Sequence, residues 1–143
     1  MVWSRCRHLH LLTSFIPMAD TTPTAKRVLI VEDEKPLARA LELKLQKAGF
    51  ETSVAYDGEE ASKLLDGTVY DVVILDLVMP KVDGFTVLSK VRSRGAKIPV
   101  IVASNLGQPE DIDRAKTMGA DEYFVKSSTA LTDLVEKVQK LSS

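Results

Sequence analysis

The chain has 143 residues, 45% of them apolar and 27% charged, with a formal net charge of −1. That length holds one domain with a sizeable core, and that balance excludes a disordered or fibrous chain. The charge gives no basis for bulk binding to nucleic acid or an anionic membrane, and the single cysteine, Cys6, excludes an intrachain disulfide and a cysteine-based metal centre while fitting a reducing compartment.

Residues 1–25 differ in character from the rest of the chain. Arg5 and Arg7 precede the apolar stretches 9–12 and 15–16, but His8, His10, Thr13 and Ser14 interrupt them and no small-residue cleavage site comes after, so an export signal is not expected. Met18 precedes a Thr/Pro/Ala linker (21–25), and the segment reads as a disordered extension or as residues ahead of a true start at Met18. His8 and His10 have no third partner and are not read as metal ligands. The domain is expected over 26–143.

Val28–Val31 is a short apolar run ending in Glu32, Asp33 and Glu34, with Glu34 expected to face solvent. Pro36 opens a helix whose face is Leu37, Leu41, Leu45 and Ala48, and Gly49 stops it. Residues 50–56 form a less buried strand, and Asp57-Gly58 turns into a short helix carrying Ala61, Leu64 and Leu65. Val72–Leu75 places four large apolar side chains in a row before Asp76, as in a central parallel strand buried on both faces. Phe85, Leu88 and Val91 mark a third helix, ended at Arg94-Gly95. Residues 99–103 form a strand leading into Ser104 and Asn105. Pro109, Glu110 and Asp111 open a helix with the face Ile112, Ala115 and Met118, stopped by Gly119. Residues 123–125 form the last strand, ending in Lys126, and Leu131, Leu134, Val135, Val138 and Leu141 mark the last helix.

Five β–α units in strict alternation imply an α/β fold, a doubly wound parallel sheet with helices on both faces. The chain is too short for an eight-stranded barrel. In the common strand order 2-1-3-4-5 the first and third strands are neighbours at the switch point, where ligands bind. That brings Glu32, Asp33 and Asp76 together. Three clustered carboxylates repel unless a cation joins them, and an all-oxygen set suits Mg²⁺, with Mn²⁺ as a substitute, better than zinc. Ser104 and Lys126 arrive from the next two strands. A carboxylate nucleophile, a divalent ion, a hydroxyl and a fixed cation are what phosphoryl transfer requires. No Gly-x-x-x-x-Gly-Lys-Ser/Thr loop, no Gly-x-Gly-x-x-Gly turn and no histidine beyond His10 offers other chemistry. Asp76 is accordingly read as a phosphoryl acceptor.

In this order and spacing, VLIVEDE (28–34), AYDGEEA (55–61), DVVILDLVMP (71–80) with Asp83-Gly84, PVIVAS (99–104), GAD (119–121) and YFVK (123–126) resemble the receiver domain of two-component response regulators, a flavodoxin-like module. The resemblance covers residues 26–141. It implies that Asp76 accepts a phosphoryl group from the phosphohistidine of a sensor histidine kinase or phosphotransfer protein. It also implies that Glu32, Asp33, Asp76 and the backbone carbonyl of Val78 hold Mg²⁺, that Ser104 and Lys126 contact the phosphoryl group, and that Ser104 and Tyr123 form a coupled switch. A face built from the fourth helix, fifth strand and fifth helix would then meet a downstream protein.

Three departures from the family pattern stand out. Ser127 succeeds Lys126 where the family usually has a cis proline; a cis bond without proline costs about 2.5–4 kcal/mol, so a trans bond is expected. Asn105 replaces a smaller residue beside the switch hydroxyl and would narrow access for the donor. Val78 and Leu106 are apolar at positions that flank the attacking water, which implies slow loss of phosphate. The expected protein is a stand-alone cytoplasmic regulator, not an enzyme beyond its own phosphorylation and dephosphorylation. It is expected to be a monomer or a phosphorylation-dependent dimer without direct nucleic-acid or membrane contact. The rival reading is a pseudo-receiver, a protein-binding module that is not phosphorylated. A phosphatase of related fold would need an acid where Val78 stands.

Overall fold

The computed structural model describes residues 25–93 and 97–143. The readings of residues 1–24 and of the Arg94-Gly95 helix stop lie outside the described residues. The elements alternate as β1 (Arg27–Val31), α1 (Lys35–Lys47), β2 (Glu51–Ala55), α2 (Gly58–Gly67), β3 (Val72–Leu75), α3 (Gly84–Ser93), β4 (Val100–Ser104), α4 (Pro109–Thr117), β5 (Glu122–Val125) and α5 (Leu131–Ser142). A 3-10 turn over Lys126–Ser128 leads from β5 toward α5. All strand pairs are parallel and the order is β2-β1-β3-β4-β5. Among the described residues, no helix is long and apolar enough to cross a membrane.

The period of two along each strand divides the core into two layers. Val28 and Ile30, Val72 and Ile74, and Ile101 and Ala103 face one side, where they pack on Leu41 and Leu45 of α1 and on Leu134 and Val138 of α5. Leu29 and Val31, Val73 and Leu75, and Val100 and Val102 face the other, against Ala61 and Leu65 of α2, Leu88 and Val91 of α3 and Ala115 of α4. β3 is buried throughout, as a run of four apolar residues requires. β2, a sheet edge, is buried fully only at Ala55. The α5 stripe is buried at Leu134 and Val138, while Leu131, Val135 and Leu141 cover the core only in part.

Local chemistry sets the helix ends. Pro36 lies in the first turn of α1 and Pro109 opens α4, positions where a missing amide hydrogen costs nothing. Asp57 caps α2 by accepting from the Glu60 amide, and Gly49 and Gly119 adopt positive φ just past α1 and α4. Below the strands' amino ends, the Arg92 guanidinium donates to the carbonyls of Ile98 and Gly119 and to the Asp121 carboxylate. The same carboxylate accepts from the Val100 amide. This clasp joins α3, β4 and the α4–β5 turn, and explains why Gly119-Ala120-Asp121 reads as a unit.

Candidate metal and phosphoryl site

The pairing register places the functional side chains at one edge. Val31 lies opposite both Ala55 and Leu75, so the next residues along, Glu32 and Asp76, leave adjacent strands at the same height. Their backbones stay tied there, the Glu32 amide donating to Ala55 and the Asp76 amide to Val31. Side-chain alternation then selects partners: Glu32 continues the Val28–Ile30 face, Asp76 the Val72–Ile74 face, and Lys126 the face of Phe124, all on the α1/α5 side. Ser104 continues the opposite face of Val100 and Val102, the layer to which Tyr123 also belongs.

Lys126 closes the site. Its Nζ lies 2.6 Å from Glu32 Oε1 and 2.9 Å from Asp76 Oδ2. Glu32 and Asp76 are only 2% and 5% exposed, so this is a buried arrangement of two carboxylates around one ammonium. Burial opposes the charge on Lys126, but its hydrogen bonds to Glu32 and Asp76 outweigh that and raise its pKa. Burial pushes Glu32 up to about 7, against the lowering effect of Lys126 and of the Glu34 amide, and nearby Asp76 adds to the rise. Asp76 Oδ1 accepts from the Val78 amide at 3.2 Å, and Glu32 Oε2 from the Glu34 amide at 3.0 Å.

Glu32, the more open Asp33 and Asp76 each offer a carboxylate oxygen within 4.8 Å of the others. This is an all-oxygen set in which one lysine opposes three acids, two of them buried, and it fits a hard divalent cation such as Mg²⁺.

Ser104 is fully buried at the carboxyl end of β4, opposite Val125 and one step from Lys126. Its Oγ accepts from the Leu106 amide at 3.2 Å, while the Tyr123 hydroxyl donates to the Leu106 carbonyl. Burial raises the Tyr123 phenol above its usual value, and the neighbouring Ser104 hydroxyl lowers it in part. The two side chains thus meet on one short loop segment. Asn105 beside them is exposed. The Lys126–Ser127 bond is trans, and the 3-10 turn carries the chain onward from it.

Glu34 faces solvent as expected, and one contact adds to that expectation. Its side chain is 59% exposed, yet Oε1 reaches Lys126 Nζ at 3.4 Å. Sequence spacing carries no signal of a contact across 92 residues; only the register of β1 against β3, β4 and β5 brings the two ends together.

The β3–α3 loop folds back against Asp76. A Cβ on Gly84 would lie 2.2 Å from the Asp76 carbonyl oxygen and 2.5 Å from Leu77 Cα, so only glycine fits. Gly84→Ala should destabilise the fold by about 3 kcal/mol, read as a lower denaturant midpoint. An unchanged midpoint would show that the loop yields freely.

The model of the response regulator receiver domain matches residues 28–139. A gliding motility regulatory protein of Myxococcus xanthus is 40% identical over 124 residues, covering 84% of this chain and 16% of that protein. The transcriptional regulatory protein PrrA of Mycobacterium leprae is 37% identical over 122 residues, 85% of this chain and 52% of that protein. The chain therefore spans about half or less of the length of these relatives. Among solved structures, the response regulator TrrA of Thermotoga maritima, in complex with Mg²⁺-BeF, is 37% identical with a TM-score of 0.72, over 81% of this chain and 98% of that one. A Francisella response regulator receiver domain is 32% identical with a TM-score of 0.77, over 82% and 96%.

Proposed function

The chain belongs to the response regulator receiver domain family, and from that membership we propose that it accepts a phosphoryl group on Asp76 in a Mg²⁺-dependent relay. The observation that carries this reading is Lys126 Nζ set between Glu32 and Asp76, with Asp33 beside them and Ser104 at the next strand end.

In this reading the donor is a phosphohistidine of a sensor kinase or phosphotransfer protein. An Asp76 oxygen forms the new bond to phosphorus as the bond to the donor's imidazole nitrogen breaks, leaving an acyl phosphate. Glu32, Asp33 and Asp76, with the Val78 carbonyl that the family resemblance adds, would hold Mg²⁺, which would supply neutralisation of charge on the phosphoryl oxygens. Lys126 pairs with one of those oxygens and the Ser104 hydroxyl donates to another. Turning Ser104 toward the phosphoryl group removes its Oγ from the Leu106 amide, which disturbs the segment that also holds the Tyr123 hydroxyl. Through that linkage the α4–β5–α5 face would present a changed surface to a downstream protein. The domain works on itself alone, in the cytoplasm, and passes its signal by protein contact or onward transfer.

Val78 is 56% exposed next to Asp76, and Leu106 flanks the site from the β4–α4 loop. Neither side chain can orient a water for attack on the acyl phosphate. The phosphorylated form should therefore be long-lived, and Val78→Asn should shorten its lifetime severalfold in Mg²⁺. Rapid loss of phosphate from the unsubstituted chain would contradict this.

The general test is incubation with acetyl phosphate followed by a phosphate-affinity gel. A retarded band that requires Mg²⁺ and vanishes with chelator is expected. No band from a folded chain with several small donors would favour a pseudo-receiver.

A further inference from the structure

Glu34 stands at the N-cap of α1, but its side chain makes no capping hydrogen bond. It turns instead to Lys126, at 3.4 Å. Lys126 already spans Glu32 at 2.6 Å and Asp76 at 2.9 Å, using the carboxylates that a divalent cation would need. A lysine has donors only, so a divalent cation on the same carboxylates competes with it for their oxygens, and any bond that Lys126 loses there has to be made to another acceptor or leaves a nearly buried cation underpaired. Its side chain is only 11% exposed, which makes the second course costly. Among the described residues, Glu34 is the third carboxylate within 4 Å of Lys126 Nζ, after Glu32 and Asp76, and its solvent exposure means that engaging it adds little desolvation.

We infer that Glu34 is a positioning residue that receives Lys126 when a divalent cation occupies Glu32, Asp33 and Asp76. The inference rests on the metal-binding reading proposed above. Glu34 thereby lowers the cost of displacing the lysine and keeps its ammonium at the rim of the site, one step from where a phosphoryl oxygen would arrive. An acid at this position acts on the metal through Lys126 and not as a ligand.

The test is a double-mutant cycle on Mg²⁺ affinity, measured by calorimetry on the full chain. Glu34→Gln keeps the side chain's size and leaves the backbone cap of α1 intact. It should weaken Mg²⁺ binding about two- to fivefold, the range an exposed ion pair supports. In a Lys126→Met background, with Lys126→Gln as the substitute if the first does not fold, the same change should have little effect, because the intermediary is gone. Equal weakening in both backgrounds would mean that Glu34 acts on the cation directly and would overturn the inference, as would no weakening in either. Failure of the unsubstituted chain to bind Mg²⁺ would overturn the metal-site reading, and this inference with it.

Discussion

Asp76→Asn is expected to abolish phosphorylation by acetyl phosphate while leaving the fold intact. The amide oxygen of asparagine can still accept from the Val78 amide, which Asp76 Oδ1 does at 3.2 Å, and its size matches the buried space. What disappears is the anionic nucleophile, and a neutral amide does not form an acyl phosphate. Lys126 keeps Glu32 at 2.6 Å, so the ammonium is not stranded. Unchanged circular dichroism with no phosphate uptake is the expected pair of results. Uptake equal to that of the unsubstituted chain would move the acceptor to another residue.

Lys126→Met is expected to carry the largest stability cost among substitutions at the site. It leaves Glu32 and Asp76, 2% and 5% exposed, facing each other with no cation between them. Breaking a buried pair by removing one partner costs about 3 kcal/mol or more, because the remaining charge stays desolvated. Saturating Mg²⁺ should return much of that loss, since a divalent ion serves the same carboxylates and binds only the folded state. The measurement is the denaturant midpoint with and without Mg²⁺. A midpoint unaffected by the substitution in metal-free buffer would mean that the carboxylates need no counter-charge. Phosphorylation should also fall sharply, as the developing phosphoryl charge loses its fixed partner.

Much of the fold was legible because its signals are local. The apolar run 72–75 needed burial on both faces and lies at the sheet's centre, and β2, broken by Glu51, Thr52 and Ser53, lies at its edge. Proline and glycine at 36, 49, 109 and 119 mark helix ends where they were expected. The clustering of Glu32, Asp33 and Asp76 came from strand order alone, and the structure brings them together.

What sequence could not show depends on register and loop geometry. Glu34 was expected to face solvent, and it does in part, but its contact with Lys126 arises only when β1 and β5 present the same face at the same height. Nor does spacing show that Ser104 and Tyr123 share Leu106, one through its amide and the other through its carbonyl. The Arg92 clasp is invisible for a similar reason: a lone arginine late in an amphipathic helix reads as a solvated charge until Gly119 and Asp121 are placed beside it. Gly84 entered the sequence reading only with Asp83 as a piece of the family pattern, whereas its strict requirement comes from the Asp76 carbonyl packed against it.

The most direct test of the account is the mass of the peptide containing Asp76 after the chain is incubated with acetyl phosphate and Mg²⁺ and then treated with borohydride, which reduces an aspartyl phosphate to homoserine. Conversion of residue 76 to homoserine, dependent on Mg²⁺ and confined to that position, is the predicted result. Conversion at a different carboxylate, or none at any position in a chain shown to be folded, would contradict it.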